Sequence, residues 1–407
     1  SDVCSSDLHA HGQGYTDLNF LIPELVTQIQ YNKGPYFAED GDFASVGSAR
    51  ISYAERLPTT QATLTVGQYG YKRGLITGSP EVGAGRVVYG FEYDYADGPW
   101  VNPEHLHKLN GVLRYAQGNA ANGFNVTAMG YSAGWTSTDQ IPLRAVQSGQ
   151  IGPYSAIDPS DGGYTNRYSL SGEWRQTDGN ITRNLNAYAI RSRLTLYSNF
   201  TYFLNNPVQG DQFLQSENRT VMGATGSQNW ATTWGGREVL NTVGFQVRRD
   251  RLSPVANYTA QGRQIIGTTT LDDATVTSIA PYLSNSIRWT PWLKTIAGLR
   301  FDHQQFDVTS TVPANSGNRS DSLRSPKFSA VFGPWAKTEY FLNWGRGFHS
   351  NDARGVNQTV NPSTGAASTP VTPLARTTGY ETGMRTQYVP GVTASVALWQ
   401  LRQNSEL

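Results

Sequence analysis

The chain has 407 residues, 15% of them charged and 12% aromatic, with 42 glycines and a formal net charge of +1. Soluble domains carry about 25% charged residues, yet mean hydropathy is −0.45, so Tyr, Thr, Ser, Asn and Gln replace the missing charge and a continuous apolar core does not. Near-neutrality without a basic run excludes an electrostatic nucleic-acid surface. No stretch approaches the roughly 18 apolar residues of a membrane helix; the closest, Leu18 to Val26, is broken by Pro23.

Residues 1–8, Ser1-Asp2-Val3-Cys4-Ser5-Ser6-Asp7-Leu8, back-translate without strain to a common sequencing-library adapter and are read as an artefact outside the fold. They contain the only cysteine, Cys4, so no disulfide framework is expected. Residues 9–57 are compact and turn-rich. Thr27 to Tyr31 reads as a short strand, Asn32-Lys33-Gly34-Pro35 as a turn, and Ala49 to Tyr53 as a second short strand. From Gln61 onward long strands are predicted at 61–73, 84–96, 107–118, 122–136, 163–178, 180–204, 211–232, 235–250, 273–290, 292–309, 323–334, 337–348, 377–389 and 391–403. Tight connectors, such as Asp178-Gly179 and Thr290-Pro291, are set against long ones at 137–162, 309–323 and 349–376.

The strands are two-faced. In Val87 to Tyr95, Val87, Tyr89, Phe91, Tyr93 and Tyr95 share one surface, and Val88, Gly90, Glu92 and Asp94 the other. Leu299 and Phe301 alternate with Arg300 and Asp302, and Tyr380 and Met384 with Glu381 and Arg385. Strands in soluble sandwiches average about five or six residues, whereas a tilted strand crossing a bilayer needs roughly nine to eleven. A mid-bilayer Arg or Lys on the lipid face costs about 2–4 kcal/mol, so Glu92, Asp94, Arg300, Asp302, Glu381 and Arg385 are expected to face a polar lumen. Tyr69, Tyr71, Tyr89, Tyr93, Tyr95, Trp174, Trp289, Trp292, Trp335 and Trp344 lie near strand ends, where interfacial girdles belong. The expected fold is an all-β transmembrane antiparallel barrel. The absence of a fixed 20–50-residue period disfavours propellers and solenoids.

Several pieces resemble the TonB-dependent outer-membrane receptors. Leu25 to Pro35, with Gly41, Gly47 and Ala49-Arg50-Ile51-Ser52, is similar to the end of that family's N-terminal plug, including its Lys33-Gly34-Pro35 turn. His9 to Phe20 is similar to the preceding stretch in one subgroup. Ser325-Pro326-Lys327-Phe328 with Phe341 to Phe348, and Gly379-Tyr380-Glu381-Thr382-Gly383-Met384, resemble paired barrel strands of these receptors. The resemblance implies about 14 of 22 barrel strands at 58–407 and a plug remnant at 9–57. The family's energy-coupling box, the rest of its plug and its aromatic C-terminal residue have no counterpart here, so a fragment lacking both ends, not itself competent for transport, is expected.

Isolated chemical motifs are weak. His9/His11 and His105/His107 are spaced i, i+2 but lack a third ligand. The glycines of 70–74 and 81–85 precede no helix and read as turns. Glu92/Asp94 and Asp272/Asp273 read as lumen and loop carboxylates, not an acid–base pair. Asp139, Asp158 and Asp161 share a long loop that could hold a cation.

The resemblance implies a receptor for active uptake of a scarce solute, a ferric siderophore or similar metal chelate, in the bacterial outer membrane. It implies no enzymatic step, no cofactor, and partners in outer-membrane lipid and the TonB–ExbB–ExbD energy-transducing complex. Its expected ligand contacts are His9, His11, Gln13 and Tyr15, with loops around 137–162, 205–232, 309–322 and 349–376. A passive porin or sugar/fatty-acid channel would share the strands but not the Lys33-Gly34-Pro35 passage. A secreted β-rich carbohydrate-binding protein would be soluble without detergent.

Overall fold

The computed structural model describes residues 9–10 and 17–404. Residues 1–8 and three expected ligand contacts, His11, Gln13 and Tyr15, lie outside them. Strands β1 (Val26–Lys33) and β2 (Gly47–Tyr53) form a separate two-stranded antiparallel sheet. All later strands join one antiparallel sheet. They are β3 (Gln61–Val66), β4 (Lys72–Gly78), β5 (Glu81–Val82), β6 (Gly85–Ala96), β7 (Leu106–Gly118), β8 (Gly123–Thr136), β9 (Gly162–Asp178), β10 (Ile181–Ser198), β11 (Phe213–Trp234), β12 (Arg237–Gln261), β13 (Gln264–Thr290), β14 (Leu293–Ser310), β15 (Gly317–Trp335), β16 (Thr338–Ser350), β17 (Leu374–Thr386) and β18 (Ala394–Gln403). Sequence neighbours are spatial neighbours throughout, except that β5 is an appendage of β6 and β4 pairs with β6 directly. Among the described residues β3 and β18 each have one partner, so the wall is an unclosed barrel.

Alternation sets the faces. The cross-strand row Phe91–Gly111–Gly130–Tyr168 lies outward, and a belt of exposed apolar residues follows it around the sheet, including Leu109, Leu170, Met222, Phe245, Leu283 and Leu299. At the end with the tight turns, Trp234 meets Trp289 at 6.0 Å and Trp292 meets Trp335 at 6.0 Å, forming an aromatic row. The β11–β12 hairpin turns through Gly235 and Gly236, both at positive φ (56° and 76°), a conformation that the right-handed strand twist favours in two-residue turns and that glycine adopts without strain.

Several boundaries differ from the sequence reading. The span 61–73 is a hairpin, β3 and β4, because Tyr69 and Gly70 both adopt positive φ (56° and 71°) and reverse the chain. The span 180–204 ends at Ser198, and residues 199–210 fold as a loop. Residues 251–272, assigned no element, extend β12 and β13 into a hairpin of 25 and 27 residues that overreaches the apolar belt. Its outer part is too polar and too rich in Thr to read as a bilayer strand.

The segment 17–57 lies inside the concave face. Its 3-10 turn Pro23–Leu25 seats Ile22 and Leu25, both fully buried, against Leu75, Val88 and Val112. Each such burial contributes about 1.5–3 kcal/mol. On the opposite wall the Pro35 carbonyl accepts from Lys327 Nζ at 2.9 Å. Gly345 and Gly379 allow this approach, since a Cβ at either would strike Pro35.

Candidate ligand vestibule

Above the inner segment, at the end with the long loops, a cavity of about 650 Å³ opens between β7–β12 and residues 9 and 17–19. Tyr131, Trp135 and Tyr188 supply aromatic surface, and Lys108, Arg167, Arg219 and Arg248 supply cationic heads. The strand period places them: positions 131 and 135 of β8, 108 of β7, 167 of β9 and 188 of β10 all fall on the inward parity fixed by the register.

The cations are held in different ways. Arg219 Nη2 and Arg248 Nε donate to Asp250 at 2.9 and 2.6 Å. Lys108 Nζ lies 3.3 Å from both Glu92 and Asp94. Arg167 stacks over the Phe20 ring at 4.4 Å and, among the described residues, has no carboxylate within ion-pairing distance. The Nε groups of Arg167 and Arg219 are buried without a hydrogen-bond acceptor. Buried donors left unpaired are costly.

The expected site residues fall in three places. His9 is buried at the cavity edge with Nε2 3.5 Å from Glu217 Oε1, while the adjacent Ala10 N–H donates to Glu217 at 2.6 Å and Arg354 Nη2 donates to the His9 carbonyl at 2.5 Å. Lys33 ends β1 with an exposed side chain; Gly34 has φ 72°, and Pro35 is buried. Of the polar strand residues, Glu92 is 2% exposed and bonded to Arg73, with Asp94 beside it on Lys108. Arg300 donates to Asp302 at 2.8 Å and to Gln246 at 2.8 Å. Glu381 accepts from Asn343 at 2.9 Å, and Arg385 pairs with Glu339 at 2.6 Å. These last four lie away from the vestibule. Of the expected ligand loops, 213–232 belongs to β11.

The outer loops are fastened by polar contacts. Asp139 accepts from the Asn199 N–H at 2.7 Å, Asp158 from Asn199 Nδ2 at 2.8 Å, and Asp161 from Gln212 Nε2 at 3.0 Å. Asp161 is fully buried, and one of its oxygens has no donor. Burial pushes its pKa up from 3.8 to about 8, and the neighbouring Asp158 and Asp139 add to the rise. Among the described residues no group of three or more His, Cys, Asp or Glu side chains is arranged to hold a metal ion.

Sequence reasoning missed Arg167, Arg219 and Arg248. Their signal was present: each is an inward-parity arginine, on the opposite face from the outward Tyr168, Met222 and Phe245 of the three strands.

The β-barrel of TonB-dependent receptor-like proteins matches residues 94–407. The unliganded ferric citrate transporter FecA superposes with a TM-score of 0.71 at 13% identity, covering 90% of this chain and 55% of that one. The ferric-catecholate import receptor Fiu of E. coli K12 gives 0.72 at 12% identity, covering 91% and 62%. The copper transporter OprC gives 0.70 at 14% identity, covering 98% and 62%. The chain thus spans little more than half the length of these structures, and at such identities the likeness concerns the fold. No curated protein matches the sequence. The chain belongs to the TonB-dependent receptor family of bacterial outer-membrane β-barrels.

Proposed function

We propose that the protein is a receptor for active uptake of an oxygen-rich metal chelate, with residues 9–57 as the remaining part of a plug and 58–407 as barrel. The observation that carries this reading is the vestibule: unpaired guanidinium donors and aromatic faces converge directly above a segment that crosses the lumen. Carboxylate, catecholate or hydroxamate oxygens would satisfy the Arg167 and Arg219 donors, while Tyr131, Trp135 and Tyr188 would cover the ligand's carbon frame. FecA and Fiu, named for ferric citrate and ferric catecholate, carry ligands of this chemistry. His9, at the cavity edge, would contact the ligand together with His11, Gln13 and Tyr15. Work comes from binding and from displacement of the inner segment by the TonB–ExbB–ExbD complex, with no covalent step.

A passive channel is less well supported, because Ile22, Leu25 and Pro35 tie the inner segment to both walls. The test is growth of an iron-starved, receptor-deficient strain carrying the full-length gene on a panel of ferric chelates. Growth on one chelate that vanishes when TonB is removed is expected. Growth that is equal with and without TonB would establish a passive channel instead.

A further inference from the structure

The wall is not paired along its whole height. β15 stays bonded to β14 from Gly317 to Phe332, and β16 to β17 from Thr338 to Ser350. Between β15 and β16, however, pairing runs only from Trp335–Thr338 to Lys327–Gly345. Past that row, Gly317 to Pro326 on one side and Arg346 to Ser350 on the other are separate edges, a seam open toward the loop end. Three features oppose its closure. Pro326, the first residue beyond the last pair, has no N–H to donate. Lys327 Nζ donates to the Arg346 carbonyl at 2.9 Å. The Ser350 N–H turns to Asp42 of the inner segment at 2.7 Å. The fork lies just above the row of outward Phe328 and Trp344. At the depth of lipid, unpaired backbone is not tolerated; above it, water serves the free groups.

The seam also carries charge. Arg324, Arg346 and Arg376 are exposed and line a groove of about 580 Å³ along it, with Ser322, Thr378 and Asn404. Among the described residues none of these three arginines has a carboxylate within ion-pairing distance, whereas Arg354, in the loop after β16, pairs with Asp352. Leu323, Phe348 and Leu374 are buried in one apolar cluster, which backs the seam with packed carbon and leaves it apart from the vestibule at β7–β12.

We propose that the free β15 edge takes an extended acidic segment of a partner protein outside the cell, added as a further strand with carboxylates at alternate positions against Arg324, Arg346 and Arg376. Main-chain bonds to a strand edge supply affinity, and alternate side chains supply selectivity. Guanidinium forks match carboxylate oxygens in pairs. A lipid headgroup meets the arginines alone, since it has no run of amides for the edge. Docking here needs no imported chelate, so it stands or falls separately from the uptake reading.

The probe is a fluorescein-labelled peptide of about nine alternating Glu and Thr residues, long enough to follow the edge at about 3.3 Å per residue. It is titrated against the full-length protein in mild detergent, with anisotropy and amide exchange as readouts. Saturable binding is expected, and seam-side amides within 318–325 should exchange fast in the free protein and slowly in the complex. The Arg324→Gln/Arg346→Gln/Arg376→Gln variant should bind about tenfold more weakly. Peptides with Lys in place of Glu, or with N-methylated amides, should not bind. Purified lipopolysaccharide should leave the peptide in place. Equal binding by the variant or by the N-methylated peptide would each overturn the proposal. So would slow seam exchange in the free protein, no saturable binding, or full displacement by lipopolysaccharide, which would give the arginines to lipid. Heat-modifiable gel migration reports barrel folding. If the triple variant does not insert, Arg376→Gln alone is expected to bind about twofold more weakly, and no change there overturns the proposal.

Discussion

The two walls that hold the inner segment do so by different physics. On β4, β6 and β7 the contact is apolar, with Ile22 and Leu25 against Leu75, Val88 and Val112, reinforced by Arg73 bridging Glu24 and Glu92. On β12 to β17 it is polar: Gln246 donates to the Glu39 carbonyl at 2.7 Å, Gln304 and Ser350 donate to Asp42, Lys327 to Pro35, and Thr377 to Ser45. Apolar burial is lost only by exposing carbon to water, and water cannot substitute for it. A hydrogen bond exchanges with water at a small net cost. The first wall is therefore expected to anchor the segment more firmly than the second, and a pulling force is expected to open the β12–β17 side first.

Substitution on each wall measures the difference. Leu25→Ala removes a fully buried side chain and is expected to cost about 2–5 kcal/mol, read as a lower unfolding temperature and faster protease cleavage across residues 17–57. Asp42→Ala deletes an acceptor for Gln304 Nε2 at 3.0 Å and for Ser350 N and Oγ at 2.7 and 2.6 Å. Its expected cost is about 1–3 kcal/mol, confined to faster amide exchange over residues 38–48 with global unfolding unchanged. If the two variants show the same pattern, the anchor-and-release distinction is wrong.

How much of this was legible depended on whether local pattern or long-range pairing decided it. The period-2 alternation around Tyr89 and Phe91 or Leu299 and Phe301 reports one residue's face directly, so the long strands and their outward belt could be read. The β3–β4 reversal was only partly read: Gly70 marked a turn, but as the end of one strand, because Tyr69 beside it takes positive φ without a local signal. The outer β12–β13 hairpin escaped because its strands are stabilised by each other and not by lipid. Arg300 shows the limit for sites: parity gives its inward direction, but its bonds to Asp302 and Gln246 and its distance from the vestibule depend on where 38–42 docks. The vestibule cations needed the register of six strands, β7 to β12, at once, and three of the four expected ligand contacts lie outside the described residues.

The polar half of the comparison extends to the outer loops, where pH tunes it. Asp161 is buried between 137–161 and the 199–212 loop, bonded to Gln212, with Asp158 and Asp139 nearby. The charged groups facing it also include Arg263, which donates to the Asp161 carbonyl at 3.0 Å and leaves the carboxyl unpaired. Its pKa rises from 3.8 to about 8 on folding, so between those values the folded loops keep a proton that the opened chain releases. Loop stability is then greatest near pH 4, falls as pH climbs towards 8, and is flat beyond either limit. Asp161→Asn keeps the acceptor for Gln212 and cannot titrate, so its loops should hold equally well across the range. Each unit of such a rise corresponds to about 1.4 kcal/mol, so the change across this range is expected to exceed about 1 kcal/mol. Amide exchange at Asn199 and Tyr202, corrected for intrinsic rates at pH 5 and pH 8, distinguishes the two proteins. A variant that loosens with pH as the wild type does would overturn the assignment of this dependence to Asp161.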